Sequence, residues 1–225
     1  MLETYDTREA WADAAAEAIA DTLAAPGAGP FVATGGTTPG PCYDRLAKMD
    51  LPWRRIAVTL TDERFVDPSS DESNEKLVRQ RLLVGKAAAS RFLPLKGDGP
   101  TPEADAAAAD ERLRGLFPSA AVLLGMGPDG HVASLFPGSK ALAAGLDFDT
   151  SRLAIAVDKA GLQPLVPRIS LTARALTRSG LIVIFISGAE KRGVIERIER
   201  EPDFAPPAAA ILRQMACPVR VLWAE

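Results

Sequence analysis

The only histidine of the chain lies in a loop that also holds three glycines. The segment 125–134 reads Gly-Met-Gly-Pro-Asp-Gly-His-Val-Ala-Ser and follows the apolar run 120–124. An imidazole has an ordinary pKa of about 6.5, so it can take a proton from water near neutral pH. The chain has no Gly-x-Ser-x-Gly elbow that would supply a serine nucleophile. We therefore expect His131 to activate water directly, and a polar residue that caps a turn is the alternative.

A second loop, Thr34-Gly35-Gly36-Thr37-Thr38, offers two glycines and three hydroxyls between a short strand and a helix. Glycines let the backbone approach a ligand closely, and the start of the following helix favours an anion. No Gly-Lys-Ser/Thr follows, so this is not a Walker loop. The pattern is consistent with a phosphate site, and a tight turn with a threonine cap is the alternative.

Three cationic side chains could hold an anion near these loops. Arg64 ends the triplet Asp62-Glu63-Arg64 after the second strand and could bind an oxyanion or a phosphate through two hydrogen bonds. Arg168 is a further candidate, and so is Lys191. Lys191 lies in the first turn of a helix, where a cation gains nothing from the helix dipole, and this hints at an anionic ligand. The alternatives are an exposed ion cluster for the triplet and a solvated lysine.

Short apolar runs alternate with helical patterns along the chain, and they must position these loops. Strands are predicted at 31–33, 56–60, 120–124, 153–157, 181–186 and 219–223, with a weak one at 92–95. Helices are predicted after a capping box formed by Asp6 and Glu9 and at 43–48, 74–84, 102–116, 170–177, 189–200 and 208–215.

This order predicts one α/β domain over residues 1–225. Its central sheet is mostly parallel, with helices on both faces, in a Rossmann-like, doubly wound arrangement. Ligands bind such sheets beyond the carboxyl ends of the strands. The loops that follow residues 33, 60, 124 and 186 all lie there, so we expect them to share one site.

Composition sets further limits on function. The net charge of −3 gives no reason to expect nucleic acid or an anionic membrane as a partner. No apolar run approaches the roughly 20 residues of a membrane span. Cys42 and Cys217 show no metal or disulfide spacing, so we expect a cytoplasmic protein without a bound metal. The segment 125–130 also matches the dinucleotide pattern Gly-x-Gly-x-x-Gly, but Pro128 removes one of its N–H groups and the match falls in mid-chain.

Several blocks of the sequence resemble the glucosamine-6-phosphate isomerase/6-phosphogluconolactonase family, in its lactonase branch. The resemblance spans about residues 30–195, and the Asp-Gly-His block is its most specific part. The blocks are Thr34-Gly-Gly-Thr-Thr-Pro39, Thr61-Asp-Glu-Arg64 with Ser73-Asn74, Leu124-Gly-Met-Gly-Pro-Asp-Gly-His-Val-Ala-Ser134 with Phe136-Pro-Gly138, Pro167-Arg168-Ile-Ser-Leu-Thr172, and Gly188-Ala-Glu-Lys191.

The resemblance implies hydrolysis of 6-phospho-D-glucono-1,5-lactone to 6-phospho-D-gluconate, the second step of the oxidative pentose phosphate pathway, without a cofactor. It makes His131 the base, Asp129 its support and Arg64 a residue of the lactone site. The expected substrate-binding and phosphate-binding set is Thr34, Gly35, Gly36, Thr37, Thr38, Asp62, Gly127, Arg168 and Lys191. We expect a monomer or a weak homodimer.

Two other functions fit the same loops. An amino-sugar phosphate isomerase and deaminase of the same family needs a base at the substrate C2, and Asp62 is available for that role. However, Arg64 follows where the deaminase pattern has no matching arginine. A sugar-phosphate sensor would keep the pocket without activity, and His131 in an intact loop speaks against it.

Overall fold

The structure, a computed structural model, describes residues 2–158 and 164–225. Its strands are β1 (Leu2–Tyr5), β2 (Phe31–Ala33), β3 (Ala57–Leu60), β4 (Asp62–Arg64), β5 (Arg91–Phe92), β6 (Ala121–Leu124), β7 (Ala154–Val157), β8 (Arg168–Leu171), β9 (Ile182–Ser187) and β10 (Val219–Ala224). Seven of them form a central sheet in the order β1-β10-β9-β6-β2-β3-β5, and all neighbours in it run parallel. The prediction of a mostly parallel central sheet is confirmed.

Helices connect the parallel strands. They are α1 (Arg8–Leu23), α2 (Gly40–Leu46), α3 (Asn74–Arg81), α4 (Pro102–Leu113), α5 (Leu142–Gly145), α6 (Ala173–Thr177), α7 (Ala189–Arg200) and α8 (Pro207–Arg213). The chain moves along the sheet in one direction from β1 through β2 and β3 to β5, and it returns through β6 and β9 to β10. Because such crossovers are right-handed, α1, α2 and α3 lie on one face and α4, α7 and α8 on the other.

The direction of winding reverses between the neighbouring strands β2 and β6. The connection that leaves β2 leads to β3 on one side, and the connection that leaves β6 leads to β9 on the other. In doubly wound sheets this reversal opens a crevice at the carboxyl ends of the strands, where ligands bind. The glycine-rich loops that follow Ala33 and Leu124 lie at this crevice, so the fold places them beside each other.

A stacked aromatic pair fixes α1 against the middle of the sheet. The rings of Trp11 in α1 and Phe185 in β9 have centroids 3.5 Å apart and planes within 9°. The indole nitrogen of Trp11 also donates a hydrogen bond of 3.0 Å to the carbonyl of Leu222 in β10. Both rings are fully buried, and large buried side chains of this kind contribute roughly 1.5–3 kcal/mol each to folding. The strands that carry the loops are therefore rigidly supported.

A second, antiparallel sheet in the order β4-β8-β7 was not predicted. Residues 62–64, predicted as a loop, form a strand, and the helix predicted at 170–177 is confirmed only for residues 173–177. Ser170 and Leu171 belong to β8, and α6 begins only after Thr172, whose hydroxyl accepts from the amide N–H of Ala175. Strand β4 consists of three charged residues and β8 begins with an arginine, so neither has the continuous apolar run from which the other short strands were predicted.

The predicted cap of the first helix is also wrong. Thr7, and not Asp6, is the N-cap of α1, because the Thr7 hydroxyl accepts a hydrogen bond of 3.1 Å from the amide of Ala10. Strand β1, which pairs with β10 at the edge of the sheet, precedes this helix and was not predicted either.

Candidate active site

A cavity of about 300 Å³ opens at the carboxyl ends of β2, β3, β6 and β9. Its walls come from the four loops that the sequence predicted to meet and from the antiparallel sheet. It is lined by Thr34, Gly35, Gly36, Thr37, Thr38, Pro39, Asp62, Arg64, Asn74, Gly125, Met126, Gly127, Pro128, His131, Ala133, Arg168, Phe185 and Lys191. Every predicted site residue except Asp129 is among them, and Asp129 contacts His131 directly.

The imidazole of His131 is held by a carboxylate two residues earlier in the same turn. Asp129 Oδ1 lies 2.6 Å from His131 Nδ1 and also accepts a hydrogen bond of 3.1 Å from the amide of His131. An ionised carboxylate can only accept, so Nδ1 carries the proton of the neutral ring and Nε2 keeps a lone pair. The pairing sets the tautomer that a general base needs.

The absence of a side chain at Gly127 leaves room for the imidazole of His131. A Cβ atom at this position would lie 2.2 Å from both Cε1 and Nδ1 of His131 and 2.7 Å from Oδ1 of Asp129. The amide of Gly127 donates a hydrogen bond of 2.9 Å to the carbonyl of His131, which closes the turn. A residue larger than glycine would push the ring out of its position.

Phe136 forms a wall shared by the base and a cation. Its ring centroid lies 4.5 Å from that of His131, with the planes at 44°, and 5.2 Å from the guanidinium carbon of Arg168. Phe136 is only 4% exposed, so it offers both groups a fixed apolar surface. Phe136 belongs to one of the motifs that carry the family resemblance, but it was not predicted as a site residue.

Two arginines face each other across the antiparallel sheet. Arg64 on β4 and Arg168 on β8 are paired in register, and both line the cavity. The Nε atom of each is buried and has no hydrogen-bond partner among the residues that the structure describes. Like charges opposite each other on neighbouring strands repel. This arrangement is the one expected where an anion supplies the missing partner.

Arg168 is a deeply buried cation. It is 4% exposed, and this burial lowers the pKa of its guanidinium, which the nearby Arg64 lowers further while Asp62 raises it. Because the ordinary pKa of arginine lies far above neutral pH, the group stays charged at pH 7. A buried cation with an unpaired Nε is a strong signal for an anionic ligand.

Arg64 is anchored through the start of α3. Its Nη1 atom donates to Asn74 Oδ1 at 2.8 Å and to the carbonyl of Glu72 at 2.7 Å. The buried Glu63 carboxylate accepts hydrogen bonds from the amides of Asn74 and Glu75 at 2.8 and 2.7 Å. Burial raises the pKa of Glu63, which these donors partly offset. Neither Glu63 nor Asn74 was predicted as a site residue, because nothing in the sequence indicates that α3 starts against β4.

The loop after β2 is fixed by one tyrosine hydroxyl. Tyr43 Oη accepts from the amide of Thr34 at 2.8 Å and donates to the carbonyl of the same residue at 2.5 Å. Beyond it, the amides of residues 35–38 have no acceptor within the described part of the chain. Helix α2 has only seven residues, so the loop's own N–H groups and hydroxyls, more than the predicted helix dipole, are suited to an anion.

Lys191 is the third residue of α7 and reaches the same cavity, as the sequence predicted. It is half-buried, and burial lowers the pKa of its ammonium group, an effect that Glu190 partly offsets. Within residues 2–158 and 164–225, no carboxylate forms a salt bridge with it. The cavity thus collects three cationic side chains.

The described residues hold neither a metal-binding cluster nor a membrane-spanning helix. No group of three or more histidine, cysteine, aspartate or glutamate side chains in them is placed to hold a metal ion. No helix in this part of the chain has the length and apolar character to cross a bilayer.

A switch-point cavity with one oriented imidazole and three cations defines an α/β site for a small anionic substrate. Comparisons with known proteins agree with this class. The family described as glucosamine-6-phosphate isomerases/6-phosphogluconolactonase matches residues 4–223. The chain therefore belongs to the glucosamine-6-phosphate isomerase/6-phosphogluconolactonase family, as its motifs predicted.

Individual relatives lie in the lactonase branch. A protein named 6-phosphogluconolactonase from Caulobacter vibrioides is 48% identical, over 100% of this chain and 97% of its own length. Another of that name from Rhizobium meliloti is 40% identical over 96% and 93%. The crystal structure of a 6-phosphogluconolactonase from Shewanella baltica matches with a TM-score of 0.94 and 34% identity, over 100% of this chain and 97% of that one.

Proposed function

We propose that this protein hydrolyses 6-phospho-D-glucono-1,5-lactone to 6-phospho-D-gluconate, the second step of the oxidative pentose phosphate pathway. It would thus be a carboxylic ester hydrolase. One observation carries the proposal. The imidazole of His131, oriented by Asp129, shares a cavity with Arg64, Arg168 and Lys191. The names of the relatives support the same activity.

In the proposed mechanism His131 is the general base. Nε2 takes a proton from a water molecule as the water oxygen attacks C1 of the lactone, and the carbonyl oxygen becomes an oxyanion. When the tetrahedral intermediate collapses, the bond between C1 and the ring oxygen breaks. The imidazolium returns its proton to that oxygen, which becomes a hydroxyl. Asp129 stabilises the imidazolium between the two steps and keeps Nδ1 protonated throughout.

Arg64 is assigned to the lactone end of the substrate. Its side chain is held by Asn74 and by the carbonyl of Glu72, so the guanidinium is fixed before the substrate arrives. A preorganised donor of this kind, placed beside a developing oxyanion, is worth roughly 3 kcal/mol.

The phosphate group is assigned to the other cations and to the loop after β2. Arg168, Lys191 and the N–H groups and hydroxyls of residues 35–38 supply positive charge and donors there. Holding the dianion fixes C1 beside the base, which replaces a bimolecular encounter by a positioned reaction. It also selects phosphorylated over unphosphorylated lactones.

The hydrogen bonds of Asp62 support the lactonase over the deaminase. Deamination of glucosamine 6-phosphate needs an aspartate that removes a proton from carbon. Both carboxylate oxygens of Asp62 already accept from hydroxyls, Oδ1 from Thr61 at 2.9 Å and Oδ2 from Ser134 at 2.6 Å. These hydrogen bonds hold the carboxylate between Thr61 and Ser134, which favours a positioning role over attack on a substrate carbon.

We also propose that the chain acts as a monomer or a weak homodimer, because His131 and the three cations that the mechanism uses all come from one chain. Sedimentation velocity over a range of concentrations tests this. A permanent larger assembly would contradict it.

The activity is tested by titrating the acid released from freshly prepared 6-phospho-D-glucono-1,5-lactone at constant pH, with and without the protein. We expect release far above the spontaneous rate, and much less acceleration with unphosphorylated gluconolactone. A parallel assay measures ammonia from glucosamine 6-phosphate. Ammonia release without lactone hydrolysis would assign the chain to the deaminase branch.

A further inference from the structure

The carboxylate of Asp62 lies between the two loops that the proposed mechanism uses. The residue is 6% exposed, although it touches the cavity. Its Oδ2 atom accepts a hydrogen bond of 2.6 Å from Ser134 Oγ, and its Oδ1 atom accepts one of 2.9 Å from Thr61 Oγ1. Two hydroxyl donors therefore hold a single buried charge in place.

The first donor leads to the phosphate-binding loop. Since Asp62 can only accept, the proton of Thr61 is directed to Asp62. Thr61 Oγ1 also lies 3.3 Å from Thr34 Oγ1, so the two hydroxyls are within hydrogen-bond distance. The backbone of Thr34 is clamped by Tyr43 in turn. The hydroxyl of Thr34 is thus used within the protein, and its loop is tied to Asp62.

The second donor leads to the loop of the base. Ser134 follows His131 by three residues, is fully buried, and donates from its own amide to Ser170 Oγ at 3.2 Å. Between them, Ala133 has a left-handed backbone with φ of 49°. The hydroxyl of Ser134 therefore fixes the point where the chain turns away from the imidazole.

We propose that Asp62 is a positioning residue that holds the base loop through Ser134 and the phosphate loop through Thr61. This inference rests on the proposed function. It differs from the sequence prediction that Asp62 contacts the substrate. In this role Asp62 does not contact the substrate. It positions the two loops relative to each other and so sets the distance between His131 and the bound phosphate.

Three single variants and one double variant separate the link to the base loop from the link to the phosphate loop. Ser134→Ala removes the link to the base loop, and we expect kcat to fall about 10-fold or more with little change in KM. Thr61→Val removes the link to the phosphate loop, and we expect KM for the phosphorylated lactone to rise roughly 5-fold with kcat retained. Asp62→Asn should show both effects. The double variant Asp62→Asn/Ser134→Ala should have the kcat of its worse single variant.

Thr59→Val is the matched control for Thr61→Val. Thr59 lies two residues earlier on β3, is equally buried, and donates its hydroxyl to the carbonyl of Leu93 at 2.8 Å. Losing that hydrogen bond costs stability without touching Asp62. We expect its kcat and KM to match the wild type, and urea unfolding identifies any variant that fails to fold.

A spectroscopic measurement is independent of the substrate. His131 is the only histidine of the chain, so its ring gives one isolated pair of carbon-bound proton signals in NMR of the untagged protein. We expect Ser134→Ala and Asp62→Asn to shift and broaden these signals in the same way. Thr61→Val and Thr59→Val should leave them unchanged.

The inference is overturned if Asp62→Asn impairs hydrolysis while Ser134→Ala and Thr61→Val do not, because Asp62 would then act on the substrate itself. It is also overturned if the losses of Asp62→Asn and Ser134→Ala multiply, or if the His131 signals are the same in both variants as in the wild type. A wild-type protein that releases no acid would instead refute the proposed function, and the His131 signals would still test the inference.

Discussion

Arg64 and Arg168 lie directly opposite each other on adjacent antiparallel strands, each with a buried Nε that lacks a partner in the described part of the chain. Two like charges in this position destabilise the protein unless a bound ligand supplies negative charge or acceptors to them. The unrelieved repulsion between these two guanidinium groups therefore indicates an anion-binding site. Binding of an anionic ligand should therefore raise the free energy of unfolding.

Arg168→Gln tests that coupling. We expect the unliganded variant to be as stable as the wild type or up to about 1 kcal/mol more stable, because one of two repelling charges is removed. The reaction product 6-phosphogluconate at 100 times its Kd should stabilise the wild type by about 2.7 kcal/mol and the variant much less at the same concentration. Thermal unfolding with and without the product measures both. Arg178→Gln, an exposed residue outside the cavity, is the control. A large loss of unliganded stability would make Arg168 a structural residue.

Lys191 should give the affinity for phosphate a pH dependence. Burial lowers the pKa of its ammonium group below the ordinary 10.5, so the charge is lost at a lower pH than for an exposed lysine. The phosphate, with a second pKa near 6, stays dianionic above pH 7. Binding of 6-phosphogluconate should therefore weaken as pH rises through the lowered pKa. Lys191→Arg should keep its affinity over the same range. Calorimetric titrations from pH 7 to 10.5 check this, and equal curves for both proteins would contradict it.

Gly127→Ala tests the space reserved for the imidazole. The new methyl group would lie 2.2 Å from two ring atoms of His131, so the ring must move. The backbone of Gly127 does not have a positive φ, so alanine adds no other strain. We expect kcat to fall about 10-fold or more with nearly unchanged stability. Gly193→Ala, whose methyl would meet no atom within 4 Å, should keep wild-type kcat. Wild-type kcat for Gly127→Ala would show that the ring position is unimportant.

Ala133 is the one non-glycine residue with a positive φ in the ranges 2–158 and 164–225, and it lines the cavity. Left-handed backbone costs an alanine roughly 1–2 kcal/mol, and glycine avoids that strain at an entropic cost of about 0.5–1 kcal/mol. Ala133→Gly should therefore raise the free energy of unfolding by up to about 1 kcal/mol and lower kcat, because the base loop becomes less ordered. Ala107→Gly, on an exposed face of α4, should be less stable than the wild type. A similar loss for Ala133→Gly would show that its φ stores no strain.

The central sheet could be predicted because its strands are buried and continuously apolar. The run at 181–186 was predicted as the most apolar strand, and residues 182–186 are wholly buried. Strands at one carboxyl edge also determine which loops meet, so His131, Lys191 and the glycine loop could be grouped before the structure was known.

The antiparallel sheet and its contacts could not be predicted. Strands β4 and β8 have three and four residues, and their pairing depends on contacts distant in the sequence. For this reason the facing arginines and the anchoring of Arg64 by Asn74 were missed, although each residue could be named. Local patterns report which side chains are suited to chemistry, whereas the partners of a buried polar group are set by tertiary packing.

The most direct test of the account is the turnover of His131→Ala on 6-phospho-D-glucono-1,5-lactone. The measurement is acid release at constant pH with the spontaneous rate subtracted, together with calorimetric binding of 6-phosphogluconate. Because general base catalysis typically contributes 10²–10⁴-fold, we predict that kcat falls about 100-fold or more while the product still binds. Turnover close to that of the wild type, in a variant that binds the product normally, would contradict the account.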